Sequence, residues 1–443
     1  MRSVHLCLSI EDRDRQYFGS RSRQDSEGRL TTVASFFEQV KKSHDEGGRL
    51  GMLWPLLDAP DTFLRTPATV THAGAHIRDW LDSKRFMMTV IVALLPPLFM
   101  GIWNAGYQHY LGTTGADPGF APSFWAGLEI CMPIIIVSYA VGGAWEALFA
   151  VVRRHEINEG FLVTGLLFPM TCPPTIPLWQ VAVGVSFGVV IGKEVFGGTG
   201  MNVFNPALTA RAFCFFTFPD KMSGDLVWTE RQTWTEFFTK GGARPEFVDG
   251  YTGATPLLHA SQHHGDLSAA ESLMQINQTF KHIDFSWWNC FLGFDAGSIG
   301  ETSALACLIG AVILIATGVG SYRTMLGVAL GTTLMAFIMN YFAGGANARP
   351  TMGLPFYWHF VVGSMAFAAV YMATDPVSSA WTSTGKWIYG TLIGALAVLI
   401  RTVNPAYPEG FMLAILFLNL FAPLIDHYVV QANIKRRKLA YAR

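Results

Sequence analysis

The chain has 443 residues, of which 51% are hydrophobic and only 14% charged. Soluble domains usually carry about 25% charged residues, so this composition excludes an ordinary soluble protein and indicates an integral membrane protein. The formal net charge of −1 argues against a nucleic-acid partner. The six cysteines are scattered without a C-x-x-C pair, which argues against a disulfide framework or a metal site built by this chain alone.

Apolar stretches along the chain predict about ten transmembrane helices, because a bilayer core about 30 Å thick needs about 20 mostly apolar residues per helix. The third and fifth stretches are too short for plain crossing helices, so we expect them to be tilted, broken or re-entrant. The predicted spans are 86–107, 124–152, 158–171, 176–196, 201–217, 302–320, 323–343, 355–374, 385–401 and 409–430.

Polar stretches separate these spans into domains. The stretch after the fifth span is too long for a simple connection and predicts an extramembrane domain. The predicted domains are a disordered tail 1–33, an arm 34–85, a first membrane repeat 86–217, a loop domain 218–301, a second membrane repeat 302–430 and a basic tail 431–443.

The positions of Lys and Arg in short loops predict the orientation in the membrane. The arm 34–85, the pair Arg153-Arg154 and the basic tail 431–443 would share one side of the membrane. The positive-inside rule makes that side the cytoplasm. Both termini are therefore predicted to be cytoplasmic, and the loop domain 218–301 is predicted to face outward.

A short motif occurs twice, each time about thirty residues after a proline-containing break. Val203–Ala207 (V-F-N-P-A) follows Pro173-Pro174, and Val403–Ala406 (V-N-P-A) follows Asp375-Pro376. We interpret this as a duplication of five helices. Because each half has an odd number of spans, the halves would be inverted relative to one another, as in many transporters. Coincidence between two proline-containing breaks is the alternative.

The predicted loop domain contains the string Thr252-Gly253-Ala254-Thr255. The plain interpretation is a glycine-containing turn with an exposed hydroxyl. The functional alternative is covalent attachment, since small neighbours let a bulky phosphoryl donor approach a hydroxyl. The string resembles the flavinylation motif of membrane redox pumps, in which the last threonine, here Thr255, carries FMN through a phosphoester bond.

From about Phe36 to the C-terminus, the chain resembles the B-subunit family of sodium-translocating NADH:quinone oxidoreductases, which is related to the D subunit of the Rnf complex. Only the tail 1–33 lies outside this resemblance. The motifs that carry it are Phe36–Glu38, Glu46–Gly48, His76–Asp79, Val141–Glu146, Arg154–Phe161, Gly192–Gly200, Ala373–Ser378, Asn404–Gly410 and Pro423–His427, together with the flavinylation string.

The resemblance implies one membrane component of a six-subunit complex in the bacterial inner membrane. The complex would pass electrons from NADH to ubiquinone and move Na⁺ outward. It implies FMN on Thr255, attached by a flavin transferase on the periplasmic side, and a non-covalent riboflavin within the membrane part. No dinucleotide-type glycine loop follows a strand pattern, so NADH is expected to bind elsewhere in the complex.

Ionisable groups at membrane depth each need an explanation, since they cost roughly 2.5–3.5 kcal/mol on insertion scales. The resemblance implies a role in sodium uptake for Glu146, and we add Asp375 and Asp426 to the predicted ion path because Na⁺, a hard ion, prefers oxygen ligands. Structural alternatives are pairing of Glu146 with Arg153 or Arg154, and capping of a turn by Asp375.

Two further sites are predicted from the resemblance. We expect quinone or inhibitor access near Gly142, Gly143 and Glu159, although Glu159 also suits the N-terminal dipole of a helix. We place riboflavin near Asn202 and Asn205, because amides can pair with both donors and acceptors of a flavin edge. Helix capping and tight packing are the alternative for these asparagines.

Two other functions stay open at this point. The chain could be the D subunit of an Rnf-type ferredoxin:NAD oxidoreductase, or an inverted-repeat transporter without a redox role. The long arm 34–85 and the amino-acid sequence of Asn404–Gly410 favour the NADH:quinone enzyme.

Overall fold

The computed structural model describes residues 83–153, 160–224, 228–239, 245–262, 268–280, 282–344, 349–404 and 410–441. The predicted tail 1–33 and nearly all of the predicted arm lie outside these ranges. Two compact units are distinguished, Met1–Val70 with Ala147–Ile157 and Thr71–Glu146 with Asn158–Arg443. Of the first unit the structure describes only 147–153, where the Arg153 guanidinium lies 5.0 Å from the centroid of the Phe149 ring.

All regular secondary structure in the described ranges is helical, which confirms the predicted all-α class. The helices are α1 (Ser83–Thr114), α2 (Phe120–Arg153), α3 (Gly160–Met170), α4 (Leu178–Val190), α5 (Pro206–Thr217), α6 (Pro219–Met222), α7 (Trp234–Thr239), α8 (Pro256–Ser261), α9 (Ala269–Met274), α10 (Ile276–Thr279), α11 (Trp287–Leu292), α12 (Ala304–Ala316), α13 (Tyr322–Phe342), α14 (Met365–Phe367), α15 (Ser383–Val403) and α16 (Phe411–Tyr441).

Six helices of the described residues are long and apolar enough to cross a membrane, which supports a membrane protein. They are α1, α2, α4 with its continuation to Phe196, α13, α15 and α16. Helices α3 and α12 are apolar but shorter. The 11 residues of α3 give a length of about 16 Å, well short of a bilayer core.

The structure differs from the sequence prediction at two places. Within the predicted span 355–374, helix α14 and the π-helical turn Ala368–Met372 cover only the second half. Gly363 precedes them with a φ of +77°, a left-handed conformation that ends any helix coming from the N-terminal side. The predicted basic tail is not separate either, because α16 continues through it to Tyr441.

Helices α13 and α15 pack backbone against backbone through two G-x-x-x-G pairs, Gly327 with Gly331 and Gly390 with Gly394. A β-carbon at Gly331 would lie 2.0 Å from the carbonyl oxygen of Thr391, and one at Gly394 would lie 2.1 Å from that of Val328. Small residues permit this close approach, which drives helix association where no hydrophobic effect is available.

The buried apolar side chains form two clusters. The larger one joins the membrane-type helices and includes Leu94, Phe168, Val328 and Tyr389. The smaller one joins the segment after Tyr251 to residues of the 354–362 stretch, including the buried Trp358. The predicted loop domain therefore shares its core with residues from the second half of the chain.

We expect Gly331→Ala to destabilise the protein although alanine favours helices, because the added methyl group overlaps the Thr391 carbonyl. Overpacking of this kind costs about 1–3 kcal/mol. The measurement is the thermal midpoint of the detergent-purified chain. Gly353→Ala is the matched control, since a β-carbon there meets nothing within 4 Å. An equal midpoint for both variants would contradict the assigned packing.

Candidate cofactor and ion site

One cavity, with an enclosed volume of about 70 Å³ and a partly open side, brings together predicted site residues from both halves of the chain. Asn202 and Asn205 line it from the first membrane repeat, and Asp375 lines it from the second. Lys193 and Thr199 are among its other polar lining residues, and we call it the main cavity. Side chains of α1, α3 and α12 supply apolar walls, among them Met87, Leu167 and Leu314.

A buried ion pair connects the main cavity to Glu146. The Lys193 ammonium group donates to Glu146 Oε1 over 2.5 Å, and the two side chains are only 3% and 4% exposed. A second carboxylate oxygen, on Glu194, lies 3.9 Å from the same nitrogen. Lys193 was not among the partners that the sequence suggested for Glu146, and Arg154 lies outside the described residues.

A glycine-rich turn follows Lys193 and shapes one wall of the main cavity. After the 3₁₀ turn Glu194–Phe196, Gly197, Gly198 and Gly200 have φ values of +121°, +97° and +92°, which favour glycine. The turn brings Thr199 to the cavity, where its buried Oγ1 has no hydrogen-bond partner among the described residues. A buried hydroxyl of this kind is suited to a polar ligand.

Asn202 and Asn205 have local structural roles, as the capping alternative predicted. The Asn205 Oδ1 accepts hydrogen bonds from the Ala207 and Leu208 amides at 3.0 and 3.3 Å and caps α5. The Asn202 side chain donates to the Phe204 carbonyl over 2.8 Å. In the described part of the chain, no hydrogen bond uses Asn205 Nδ2, so the amino group of this side chain is available to a ligand in the cavity.

Asp375 both caps a turn and lines the main cavity. Its carboxylate accepts from the Val377 amide over 3.2 Å and from the Ser378 hydroxyl over 2.6 Å. Asp375 comes shortly after the π-helical turn Ala368–Met372, and π-helical insertions are frequent at functional sites. The predicted capping and the predicted exposure to an ion path are therefore compatible.

Asp426 is not among the described residues that line the main cavity. Its carboxylate accepts from the Trp381 amide (2.6 Å), the Thr382 amide (3.0 Å) and the Thr382 hydroxyl (2.6 Å). Thr382 is the N-cap of α15, so Asp426 sits where a helix N-terminus favours negative charge. This network accounts for an acid in an apolar stretch without any bound ion.

Gly142 and Gly143 differ in what surrounds them. A β-carbon at Gly142 would lie 2.5 Å from the Phe161 ring and 3.0 Å from Val185, so this glycine is required by packing. A β-carbon at Gly143 would have its nearest neighbour, an atom of the Phe161 ring, at 3.6 Å, which is an ordinary van der Waals distance. Glu159, the third residue of the predicted quinone site, lies outside the described residues.

Thr255 is half-buried and caps the short helix α8. Its Oγ1 accepts from the Leu258 amide over 3.3 Å, while Thr252 Oγ1 accepts from the Ala254 amide at the same distance. The Thr255 amide donates to the Gly224 carbonyl. A β-carbon at Gly224 would lie 2.8 Å from Thr255 Oγ1, so glycine at this position keeps the hydroxyl open to approach.

Beside Thr255 lies a recess that sequence reasoning missed, lined also by Asp295, Glu301, Thr302 and Gly363. Asp295 Oδ1 and Thr302 Oγ1 are buried without a hydrogen-bond partner in the described structure. Burial raises the pKa of the Asp295 carboxyl well above its usual range, and Glu301 adds to the shift. These residues lie between 40 and 108 positions after Thr255 and belong to no motif, so only the fold brings them to it.

A buried arginine lies behind the same recess. Arg401 is 1% exposed and contacts His359 through Nη1 and Nδ1 at 3.2 Å. A β-carbon at Gly363 would lie 2.9 Å from Arg401 Nη2, so the guanidinium is directly beside the recess wall. The Thr255 recess therefore combines unused hydrogen-bonding groups with a nearby positive charge.

We expect Lys193→Met to destabilise the chain strongly, because it leaves Glu146 buried without its ammonium partner. Breaking a buried pair costs about 3–5 kcal/mol, whereas removing both charges is often close to neutral. The thermal midpoint in detergent should fall for Lys193→Met and recover substantially in Lys193→Met/Glu146→Gln. A single variant as stable as the parent would show that the pair is not needed.

The chain is similar to known proteins over most of its length. A profile described as the NQR2, RnfD, RnfE family matches residues 70–435. The B subunit of the Na(+)-translocating NADH-quinone reductase of Azotobacter vinelandii is 48% identical, and that of Stutzerimonas stutzeri is 47% identical, each over 427 residues covering 91% of this chain and 98% of the relative. The protein of the same name from Chromohalobacter salexigens is 46% identical, with 91% of this chain and 96% of the relative covered. The chain therefore belongs to the NQR2, RnfD, RnfE family.

Proposed function

We propose that this chain is the membrane-embedded B subunit of a sodium-translocating NADH:quinone oxidoreductase, which couples electron transfer to ubiquinone with outward Na⁺ transport. The observation that carries the proposal is the near-complete coverage by relatives of that name, at 46–48% identity. Their name favours this function over the D subunit of an Rnf complex, although the family profile includes both.

The proposed membrane arrangement has ten spans in two inverted five-helix repeats, with both termini cytoplasmic and 218–301 periplasmic. The order of elements supports the repeat. Asn205 stands between α4 and α5, and Asn404 stands between α15 and α16. In each case an N-P-A string follows a long apolar helix, although Pro405 and Ala406 lie outside the described residues.

The proposed FMN site is Thr255, with Thr252, Gly253 and Ala254 as the rest of the attachment string. The residues present fit this group. In a reaction catalysed by a flavin transferase, Thr255 Oγ1 would lose its proton and bond to the flavin-side phosphorus of a flavin dinucleotide. The P–O bond of the diphosphate would break, and the nucleoside monophosphate would leave. A phosphodiester keeps one negative charge, and the Arg401 guanidinium behind Gly363 supplies a positive charge close to it.

The proposed riboflavin site is the main cavity. The enclosed volume of about 70 Å³ is too small for the whole ring system, so the ring would also extend into the open side of the cavity. The apolar walls suit a flat ring, and Thr199 Oγ1 and Asn205 Nδ2 are available to pair with polar ring atoms. A flavin supplies both one- and two-electron chemistry, which connects iron–sulfur donors to a quinone. The chain's own residues would orient the ring, exclude water and, through Lys193 and Glu146, hold fixed charges beside it.

The proposed ion path uses Glu146, Asp375 and Asp426, and the proposed quinone access lies at Gly142, Gly143 and Glu159. Glu146 and Asp375 are connected through the main cavity by Lys193, which supports their acting together. The hydrogen bonds that the Asp426 carboxylate accepts support an additional structural role for this residue. NADH would bind elsewhere in the six-subunit complex of the bacterial inner membrane.

Thr255→Val should abolish covalent flavin because valine has no hydroxyl to esterify. The full chain is produced together with a flavin transferase, denatured and examined for in-gel flavin fluorescence. Ser261→Ala, which removes another hydroxyl of α8, is the matched control and should remain fluorescent. Absence of fluorescence in the parent chain would contradict the proposed function and favour a transporter without a redox role.

The two acids of the second repeat should respond differently to neutralisation. Asp375→Asn should raise the apparent KM for Na⁺ in quinone reduction by the assembled complex, with little change in thermal midpoint. Asp426→Ala should lower the midpoint, because it removes hydrogen bonds to a charged group worth about 1.5–3 kcal/mol each. A stable Asp426→Ala chain that loses Na⁺ dependence would show that Asp426 acts in the proposed ion path alone and is not needed to support the helix end.

A further inference from the structure

A second cavity adjoins the Thr255 recess, because Ala296 lines both. It has a volume of about 500 Å³ and is open to solvent, and Thr252 forms part of its wall. This volume lies within the ~300–1,000 Å³ typical of small-molecule sites. We call it the aromatic cavity, and its lining includes Tyr107, Gln108, His282, Phe285 and Phe294.

The aromatic cavity has the composition that a flat heteroaromatic ring requires. Phe294 packs against Tyr107 in an edge-to-face arrangement, with ring centroids 5.9 Å apart, and Trp103 stacks behind Tyr107 at 5.0 Å. His282 is half-buried, and its imidazole makes no hydrogen bond with a described residue. Stacking surfaces and an unused polar ring are therefore present in one cavity.

The aromatic cavity and the Thr255 recess share a wall. Ala296 lines both, while its neighbour Asp295 lines only the recess and Phe294 lines only the aromatic cavity. The wall is held in place by α1, because Asn104 donates to the Asp295 carbonyl over 2.7 Å and Gln108 donates to the Phe294 carbonyl over 2.9 Å.

Tyr251, at the start of the attachment segment, donates to the same Gln108 side chain over 3.0 Å. Burial raises the pKa of the Tyr251 phenol, so it stays a neutral donor. Helix α1 thus positions both the attachment segment and the shared wall, and the linings of the two spaces together form a surface that includes Thr252 and Thr255.

We propose that this surface is the non-covalent part of the FMN site: the ribityl hydroxyls of the group on Thr255 bond to Asp295 and Thr302, and its ring occupies the aromatic cavity beside Phe294 and His282. The inference rests on the proposed function and deepens it. The unpartnered Asp295 Oδ1 and Thr302 Oγ1 are the groups that a polyhydroxyl chain would satisfy.

Cysteine labelling tests where the ring lies. His282→Cys is introduced into the full chain carrying Cys7→Ser, and its reaction with a maleimide is timed in membranes. The five cysteines of the described residues are buried and give a low background. Each measurement is repeated in a Thr255→Val background, which carries no covalent flavin. Asn277→Cys, at another point of the aromatic cavity, gives a second position if the first variant accumulates poorly.

We expect His282→Cys to react several-fold more slowly in the flavin-bearing chain than in the Thr255→Val background. Met274→Cys, which is 51% exposed and outside the aromatic cavity, should react equally in both. Adding Thr302→Val should speed the labelling of His282→Cys while in-gel fluorescence stays unchanged, because the ribityl chain loses one anchor.

The outcomes separate this inference from the proposed function. Covalent fluorescence with equal labelling rates in both backgrounds would overturn the inference alone. Absence of covalent fluorescence in the parent chain would overturn the proposed function and the inference with it. Labelling unaffected by Thr302→Val would overturn the assignment of the ribityl contacts.

Discussion

A helix that breaks in an apolar medium must satisfy its free backbone groups from within the protein, because no water is present to do so. This constraint explains the acids and amides of the chain. Asn205 caps α5, Asp375 closes the turn after the π-helical segment, and Asp426 accepts hydrogen bonds at the start of α15. The polar groups that serve these breaks also create the polar surfaces on which a cofactor or ion can bind.

Close packing of backbones makes such breaks possible. Gly331 and Gly394 let α13 and α15 touch, while Gly363 lets Arg401 lie beside the Thr255 recess. The buried pair of Lys193 and Glu146 adds charge to the main cavity without leaving either ion unpartnered. Glycines and paired charges therefore allow charged and polar side chains to lie in the interior at a tolerable cost in the free energy of folding.

Each predicted span overlaps a helix of the structure, but only six helices of the described residues are long and apolar enough to cross a membrane. Sequence reasoning was less accurate for 355–374, where Gly363 and the π-helical turn interrupt a uniformly apolar stretch that hydropathy cannot resolve. The G-x-x-x-G pairs of α13 and α15 were readable from the sequence and would have predicted their contact. Lys193 as the partner of Glu146 was not readable, because 47 residues separate the two.

The sequence by itself determined the membrane class and the approximate positions of the apolar helices, and it predicted the string at Thr255 as an attachment site, because hydropathy and short motifs are local properties. Only the tertiary structure decided that Asn205 and Asp375 share a cavity, that Asp426 supports a helix end, and that Asp295 faces the recess at Thr255. Those relations depend on contacts between residues distant in the chain. Such contacts follow from packing and hydrogen-bond satisfaction, which no local pattern records.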